Sequence, residues 1–302
     1  MRVLITGSEG QLGSCLLDRV PDEWDVLATS RATLDITSSK EINEVLGRFN
    51  PEIVINTAAY TAVDKAEDEE DVAFAVNALG PKYLAEYCTQ NGALLMHIST
   101  DYVFDGSKTG LCKETDVINP INVYGKTKAA GEKYIIESGC NYIIIRTSWV
   151  FSEYGNNFVK TMLNLAKTRE EIGIVSDQFG GPTYAGDLAM TIIEIIKHRK
   201  DELNSMFNIF HYSGMPHTTW ANFAEEVFEI AFKEKILPDR VKVNHILTSD
   251  YRTVARRPIC VKMSCERIEN TYKTIPTMMW NKGLINVLSK IKYQYSSKTI
   301  GG

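Results

Sequence analysis

Tyr124 and Lys128 stand four residues apart in Asn122-Val123-Tyr124-Gly125-Lys126-Thr127-Lys128, just after Pro120. On a helix that spacing places them one turn apart on a single face. An ammonium beside a phenol favours the phenolate, so the pair is expected to bring the tyrosine pKa down towards neutrality and make a workable general acid. With 14 Tyr in the chain, about one such spacing arises by chance, and its meaning depends on the elements that hold it. Thr100 adds a hydroxyl at the end of the apolar run Leu94-Leu95-Met96-His97-Ile98-Ser99. If that run is a strand, its C-terminal tip can present Thr100 to a carbonyl oxygen held beside Tyr124, because open α/β sheets bind ligands at the strand ends. His97 lies inside the run and reads as a buried, hydrogen-bonded side chain rather than a catalytic one.

The elements that would position these groups begin at the N-terminus. Arg2-Val3-Leu4-Ile5-Thr6 is a short apolar run ending in Gly7, the pattern of a buried parallel strand. Gly7-Ser8-Glu9-Gly10-Gln11-Leu12-Gly13 follows, then an amphipathic stretch through Leu16, Leu17 and Val20. Glycines at a strand-to-helix turn let a pyrophosphate approach backbone N–H groups and the helix N-terminus. The spacing Gly-x-x-Gly-x-x-Gly differs from the better-known Gly-x-Gly-x-x-Gly, and a bare turn is the alternative. A second strand over about 25–29 leads to Ser30-Arg31. An acid there suits the 2′-hydroxyl of NAD, whereas Arg31 suits a 2′-phosphate and favours NADP(H); NADH stays open, since a solvated surface arginine is the rival reading. Leu34-Asp35-Ile36-Thr37 reads as a short extended piece, and Ser38 with Glu41 as a capping box for a helix through Ile42, Val45, Leu46 and Phe49. Ile53-Val54-Ile55-Asn56 is the next strand, and Ala58, Ala59, Thr61 and Val63 at its end leave room for a flat cofactor. The acid run 67–71 reads as a solvated face near a helix N-terminus.

With strands at 94–99 and 142–146, five strand–helix steps spell an α/β fold, a doubly wound parallel sheet of Rossmann type. Residues 1–150 are expected to form the NADP(H)-binding unit, completed by parts of 185–210, including a strand at Phe207-Asn208-Ile209-Phe210. Residues 151–302 are expected to supply mainly a smaller α/β substrate lobe, interleaved in sequence. A net charge of −5 without a long basic run argues against a nucleic-acid partner. No apolar run approaches the ~18 residues of a membrane span, and the N-terminus lacks a secretory pattern. The six scattered Cys have no metal-ligand spacing and read as reduced packing thiols. A soluble cytoplasmic enzyme, monomer or homodimer, without a metal, fits these features.

The ordered blocks Gly7-x-x-Gly10-Gln11-Leu12-Gly13, Leu34 to Thr37, Asn56 to Glu67, Ser99 to Gly106, Tyr124-x-x-x-Lys128, Arg146 to Phe151, Gly181-Pro182-Thr183 and Asp187-Leu188-Ala189 resemble the extended short-chain dehydrogenase/reductase family over nearly the whole chain. Within that family they are most similar to the reductases of dTDP-linked 4-keto sugars. The resemblance implies that Gly10, Gln11 and Leu12 hold the pyrophosphate, Asp35 and Ile36 border the adenine, and Ala58, Ala59 and Thr61 line the nicotinamide. Tyr124 and Lys128 would touch the nicotinamide ribose, and Val63, Thr100, Asp101 and Trp149 would face the sugar nucleotide. It implies NADPH-dependent reduction of the C4 ketone of dTDP-4-dehydro-β-L-rhamnose, with Tyr124, Lys128 and Thr100 as the catalytic group. Sugar-nucleotide dehydratases of this family follow the threonine with Asp-Glu; here Asp101-Tyr102 favours reduction. Two positions depart from the pattern. Cys15 stands where some relatives carry a Glu that helps bind Mg²⁺ at a dimer interface, and Cys260-Val261 replaces the usual Asn-Ser after Arg-Pro-x. The rival readings are a reductase or epimerase of another nucleotide sugar, and a non-catalytic subunit like the regulatory subunit of methionine adenosyltransferase.

Overall fold

The computed structural model describes residues 1–199 and 208–299. Six strands form one parallel sheet: β1 (Arg2–Thr6), β2 (Asp25–Thr29), β3 (Ile53–Asn56), β4 (Leu94–Thr100), β5 (Asn141–Thr147) and β6 (Ile209–His211). Their order is β6-β5-β4-β3-β1-β2, every neighbouring pair parallel. The expected strand around 207–210 is thus present as Ile209–His211, while Phe207 lies outside the described residues. The chain leaves β1 outwards to β2 and returns to the other side at β3. That reversal opens a crevice at the C-terminal ends of β1 and β3, the place where sheets of this kind take ligands.

Both faces of the sheet are covered, which is why its strands read as unbroken apolar runs. Successive side chains of a strand point to opposite faces, and β1 shows the division. Val3 and Ile5 pack with Leu16 of helix α1 (Gln11–Leu17) and with residues such as Leu188 and Ile192 of a later helix. Leu4 joins the opposite core, with Ile42 and Leu46 of α2 (Ser39–Phe49), Leu84 of α3 (Gly80–Asn91) and Ile135 of α4 (Val123–Glu137). A second core lies between α5 (Phe158–Ala166), α7 (Trp220–Lys233) and α8 (Trp280–Thr299), beside the parallel strand pair 171–175 and 242–246. The later helix on the first face is α6 (Ala185–Arg199).

Several local expectations change in detail. Leu34 to Thr37 forms a turn with no strand pairing. Asp35 holds it, its carboxylate accepting from the Thr37 N–H at 2.9 Å and the Thr37 hydroxyl at 2.8 Å. Ser38 caps α2 by accepting from the Glu41 N–H at 3.2 Å, but the Glu41 carboxylate accepts from the Asp35 N–H at 3.0 Å, so the reciprocal half of the capping box falls outside the helix. The acid run is solvated only in part. Glu67 reaches across to accept from the Val123 N–H at 2.8 Å, satisfying a donor at the start of α4 that its own helix cannot. The following segment contains a π-turn, Ala75–Leu79, from which Asn77 clasps Tyr60 in both directions, at 2.8 and 3.0 Å.

α4 is fixed to the sheet by charge as well as packing. Glu132 accepts from Arg146 of β5 at 2.7 and 3.0 Å, and from the Ser99 hydroxyl of β4. Both charges are almost fully buried. A buried pair of this geometry adds little net stability over an apolar filling, but removing one partner strands the other. Arg146→Met should therefore cost about 3–5 kcal/mol in urea unfolding, and adding Glu132→Leu should recover part of it. A single variant as stable as the parent would show that Glu132 is satisfied without the arginine.

Candidate active site

The crevice is a cleft of about 1040 Å³ running from the β1 turn to the second core. Its floor is the glycine turn. Gly7 has a φ of +65°, and a side chain there would lie 2.7 Å from the Ala58 nitrogen, so only glycine permits this turn against the end of β3. The Gly10 N–H closes the turn on the Gly7 carbonyl at 2.9 Å. α1 starts there and points its unpaired first-turn N–H groups, with Gln11 and Leu12, into the cleft. This is a backbone cradle with no side chain to fill it, which fits a pyrophosphate. Gly13 is absent from the wall. It packs beneath the turn, where a Cβ would meet the Ser8 Cα at 2.6 Å.

The Gln11 side chain turns away from the cradle. It donates to the Val150 carbonyl at 3.3 Å and accepts from Ser152 at 3.1 Å and Asn157 at 2.9 Å, so it pins the loop that follows β5. At the outer end, Arg31 is exposed on the cleft rim beside Asp35 and Ile36. Hydrogen bonds from Thr37, with a smaller contribution from Arg31, hold the Asp35 carboxyl below its usual range. Ala58, Ala59, Thr61 and Val63 line the segment between the turn and α4.

Tyr124 and Lys128 face this cleft from the first turns of α4. Asn122 caps the helix, accepting from the Gly125 N–H at 2.8 Å, and so fixes where Tyr124 begins. Thr100 ends β4, donates to Asp101 Oδ1 at 3.0 Å and accepts from the Tyr102 N–H at 3.2 Å. Its side chain also lies close to the Tyr124 phenol and favours the phenolate. Burial outweighs that influence and pushes the Tyr124 phenol up to about 12. The expected depression by Lys128 is not present. The Lys128 nitrogen instead donates to the Ile98 carbonyl at 2.6 Å and lies 3.2 Å from His97 Nε2. Burial brings the lysine down to about 8, against a smaller opposing push from Glu132. Asp101 is buried beside Thr100, and desolvation pushes its carboxyl up to about 7. In this arrangement Tyr124 keeps its proton and the two flanking groups titrate near neutrality.

Trp149 closes the far wall with a φ of +46°, unusual for a bulky residue. Trp220, at the first position of α7, holds it there, the two rings stacking at 3.6 Å and 10°. Gly180 leaves space behind, because a Cβ there would come within 2.6 Å of the indole. Trp220 also lines the cleft and was not among the expected site residues. An aromatic residue after a Thr219 cap carries no periodic signal, and its role appears only once α7 is placed beside Trp149 in the segment that follows β5. Tyr102 was likewise not expected as a site residue; it lines the cleft and meets Tyr124 edge-on at 5.5 Å. All the other expected site residues lie on this one cleft.

The family described as the RmlD substrate binding domain matches residues 1–293. The dTDP-4-dehydrorhamnose reductase of Aggregatibacter actinomycetemcomitans is 44% identical over 288 residues, covering 95% of this chain and 98% of that protein. The Escherichia coli K12 enzyme of the same name is 36% identical over 298 residues, covering 96% and 98%. The crystal structure of the Bacillus anthracis dTDP-4-dehydrorhamnose reductase in complex with NADP superimposes with a TM-score of 0.86 at 37% identity, covering 96% of this chain and 99% of that one. With a family model matched over residues 1–293 and relatives of this identity and coverage, this chain belongs to the dTDP-4-dehydrorhamnose reductase family.

Proposed function

We propose that the chain reduces the C4 ketone of dTDP-4-dehydro-β-L-rhamnose to dTDP-β-L-rhamnose with NADPH, a cytoplasmic step in making the rhamnose donor for cell-surface polysaccharide. The observation that carries this reading is the placing of Thr100, Tyr124 and Lys128 on one cleft, between a backbone cradle and a tryptophan wall. NADPH bound in that cleft supplies a hydride. The backbone of Gly10, Gln11 and Leu12 receives its pyrophosphate, Arg31 its 2′-phosphate, and Asp35 and Ile36 border its adenine. Ala58, Ala59 and Thr61 flank the nicotinamide end. NADH is the weaker alternative, because Arg31 then has no phosphate to meet.

Tyr124 is the general acid. Its phenol, held up to about 12, stays protonated through the working range and gives that proton to the oxygen at C4 as negative charge develops there. Thr100 Oγ1 donates to the same oxygen and orients the phenol. Lys128, when charged, holds a ribose hydroxyl and adds positive potential beneath the site. Val63, Asp101 and Trp149 bound the sugar, with Trp149 as the flat apolar face. The parallel sheet then serves as the cofactor unit and the second core as the sugar-nucleotide unit, each built from non-contiguous segments. Among the described residues no helix is long and apolar enough to cross a membrane.

Mixing the chain with NADPH and dTDP-4-dehydrorhamnose should oxidise the cofactor and yield dTDP-rhamnose; oxidation only with a different 4-keto sugar nucleotide would reassign the substrate. Tyr124→Phe should lower kcat by roughly 10²–10⁴, the usual worth of a general acid, with NADPH affinity nearly unchanged. Turnover at the parental rate would remove Tyr124 from the proton transfer.

Arg31→Ala should weaken NADPH by roughly 10- to 100-fold, the loss of a charged hydrogen bond of about 1.5–3 kcal/mol, and leave NADH almost untouched. Equal losses for both cofactors would take Arg31 off the 2′-phosphate. The pH dependence follows from the two buried groups. Lys128 loses its charge as pH rises through about 8, far below the phenol at about 12. The reduction should therefore decline above about pH 8, and a kcat/KM flat to pH 10 would exclude the ammonium from the rate.

A further inference from the structure

Behind Lys128 a line of buried polar side chains crosses the sheet. The Thr6 hydroxyl of β1 bonds Asn56 Oδ1 of β3 at 2.7 Å. Asn56 Nδ2 lies 3.0 Å from His97 Nδ1 on β4, and His97 Nε2 lies 3.2 Å from Lys128 Nζ on α4. Asn56 and His97 are fully buried, and Thr6 and Lys128 are 1% exposed. Burying three polar groups in the middle of an apolar sheet is costly unless each is satisfied, and ordinary packing would place Val or Ile at these positions. The line begins one residue before Gly7, at the cofactor cradle, and ends at the lysine. Thr6 Oγ1 also accepts from the Ala58 N–H at 3.4 Å, on the cleft wall.

Hydrogen-bond arithmetic allows this line two states. A neutral imidazole has one N–H donor and one acceptor nitrogen. If Asn56 donates to Nδ1, the ring proton sits on Nε2 and must be donated to a Lys128 amine. If Lys128 is an ammonium it donates to Nε2, the ring proton sits on Nδ1, and the Asn56 amide must turn its oxygen to the ring and its NH₂ to Thr6. Every member changes role together. The ammonium state needs an imidazole that accepts, and Asn56 decides whether the ring can do so.

We propose that His97 is a positioning residue of the reduction site: with Asn56 and Thr6 it forms a buried relay whose tautomer decides whether the Lys128 nitrogen is held as an ammonium donor or an amine. This rests on the assigned role of Lys128 in the reduction. In the ammonium state two of its three N–H bonds are fixed, by the Ile98 carbonyl and by Nε2, and the third points the charge to the cleft. Proton uptake at the lysine then rearranges hydrogen bonds as far as the glycine turn. The ionisable groups around Lys128 are Glu132 and Tyr124 on its own helix, His97 on β4, Asp101 and Tyr102 after β4, and Arg146 on β5. Arg146 is committed to Glu132, and the π-turn packed on α4 faces it with the neutral Asn77. His97 is the group that meets the lysine nitrogen through its own hydrogen bond.

The test reads the titration of Lys128 directly in the full chain labelled with 13Cε-lysine, its signal assigned by loss in Lys128→Arg. The parental midpoint should fall near 8. His97→Phe removes the acceptor and should lower the midpoint by about one unit or more. His97→Gln, whose amide oxygen can accept, should hold it near the parental value. Asn56→Asp, when ionised, can only accept, so it fixes the proton on Nδ1 and should raise the midpoint by about one unit or more. The alkaline limb of kcat/KM should move with the midpoint in each variant. A midpoint unchanged in Asn56→Asp and equal in His97→Gln and His97→Phe would overturn the relay, whatever the turnover. Midpoints that shift as stated in a chain that reduces no 4-keto sugar nucleotide would instead remove the reductase role and leave the relay in place.

Discussion

The interior placement of the Lys128 nitrogen constrains much of the rest. A group that prefers to be charged sits with 1% exposure between a helix and a sheet, which is tolerable only if its donors have fixed partners. The Ile98 carbonyl and His97 meet it from β4. Glu132, one turn further along α4, answers its charge and is itself held by Arg146 and Ser99. α4 therefore cannot slide or rotate on the sheet without breaking several buried polar contacts at once. That rigidity sets the position of Tyr124 one turn earlier, with Asn122 and Glu67 satisfying the helix start. Precise placement of a proton donor is the part of a hydride-transfer reaction that the protein rather than the cofactor must provide.

The two halves of the cleft are joined by a side chain from the cofactor end. Gln11 belongs to the glycine turn, yet its amide bonds three residues of the loop that carries Trp149 and Asn157. The loop itself is held open by the stack of Trp149 on Trp220 and by the space over Gly180. The tryptophan wall is thus referenced to the cradle at one end and to the second core at the other. In the proposed reduction, a sugar face and a cofactor plane located by the same framework would need little adjustment to meet.

How much of this could be read in advance varies with the physics of each signal. The sheet was legible because parallel strands buried on both faces leave continuous apolar runs, and the glycine turn because Gly7 must take a positive φ against Ala58. Tyr124, Lys128 and Thr100 could be paired from spacing and strand ends alone. What spacing could not convey was direction. Lys128 reads as a neighbour of Tyr124 along the helix, but its amine is drawn to a carbonyl and an imidazole, and burial then moves the two pKa values apart, the phenol up and the ammonium down, the reverse of simple activation. His97 was readable as a buried histidine but not as a partner of Lys128, since that contact joins β4 to α4 across 31 positions of sequence. Trp220 and the side chain of Gln11 were missed for the same reason: their roles are tertiary and leave no local period.

The choice of chemistry also has a geometric argument beside the residue pattern. Elimination of water needs both an acid and a base near the sugar, and the turn after β4 supplies a single carboxyl, Asp101, bonded to Thr100. The next position, where a second carboxylate would be required, is Tyr102. Its ring lies edge-on to Tyr124 at 5.5 Å, and burial pushes its own pKa well above the ordinary range. A phenol that firmly protonated is a poor base at neutral pH. It instead adds an apolar edge that dries the surroundings of Tyr124, which helps keep that phenol a protonated donor. A tyrosine at this position thus supplies no elimination base and at the same time suits the proton donor of the proposed reduction.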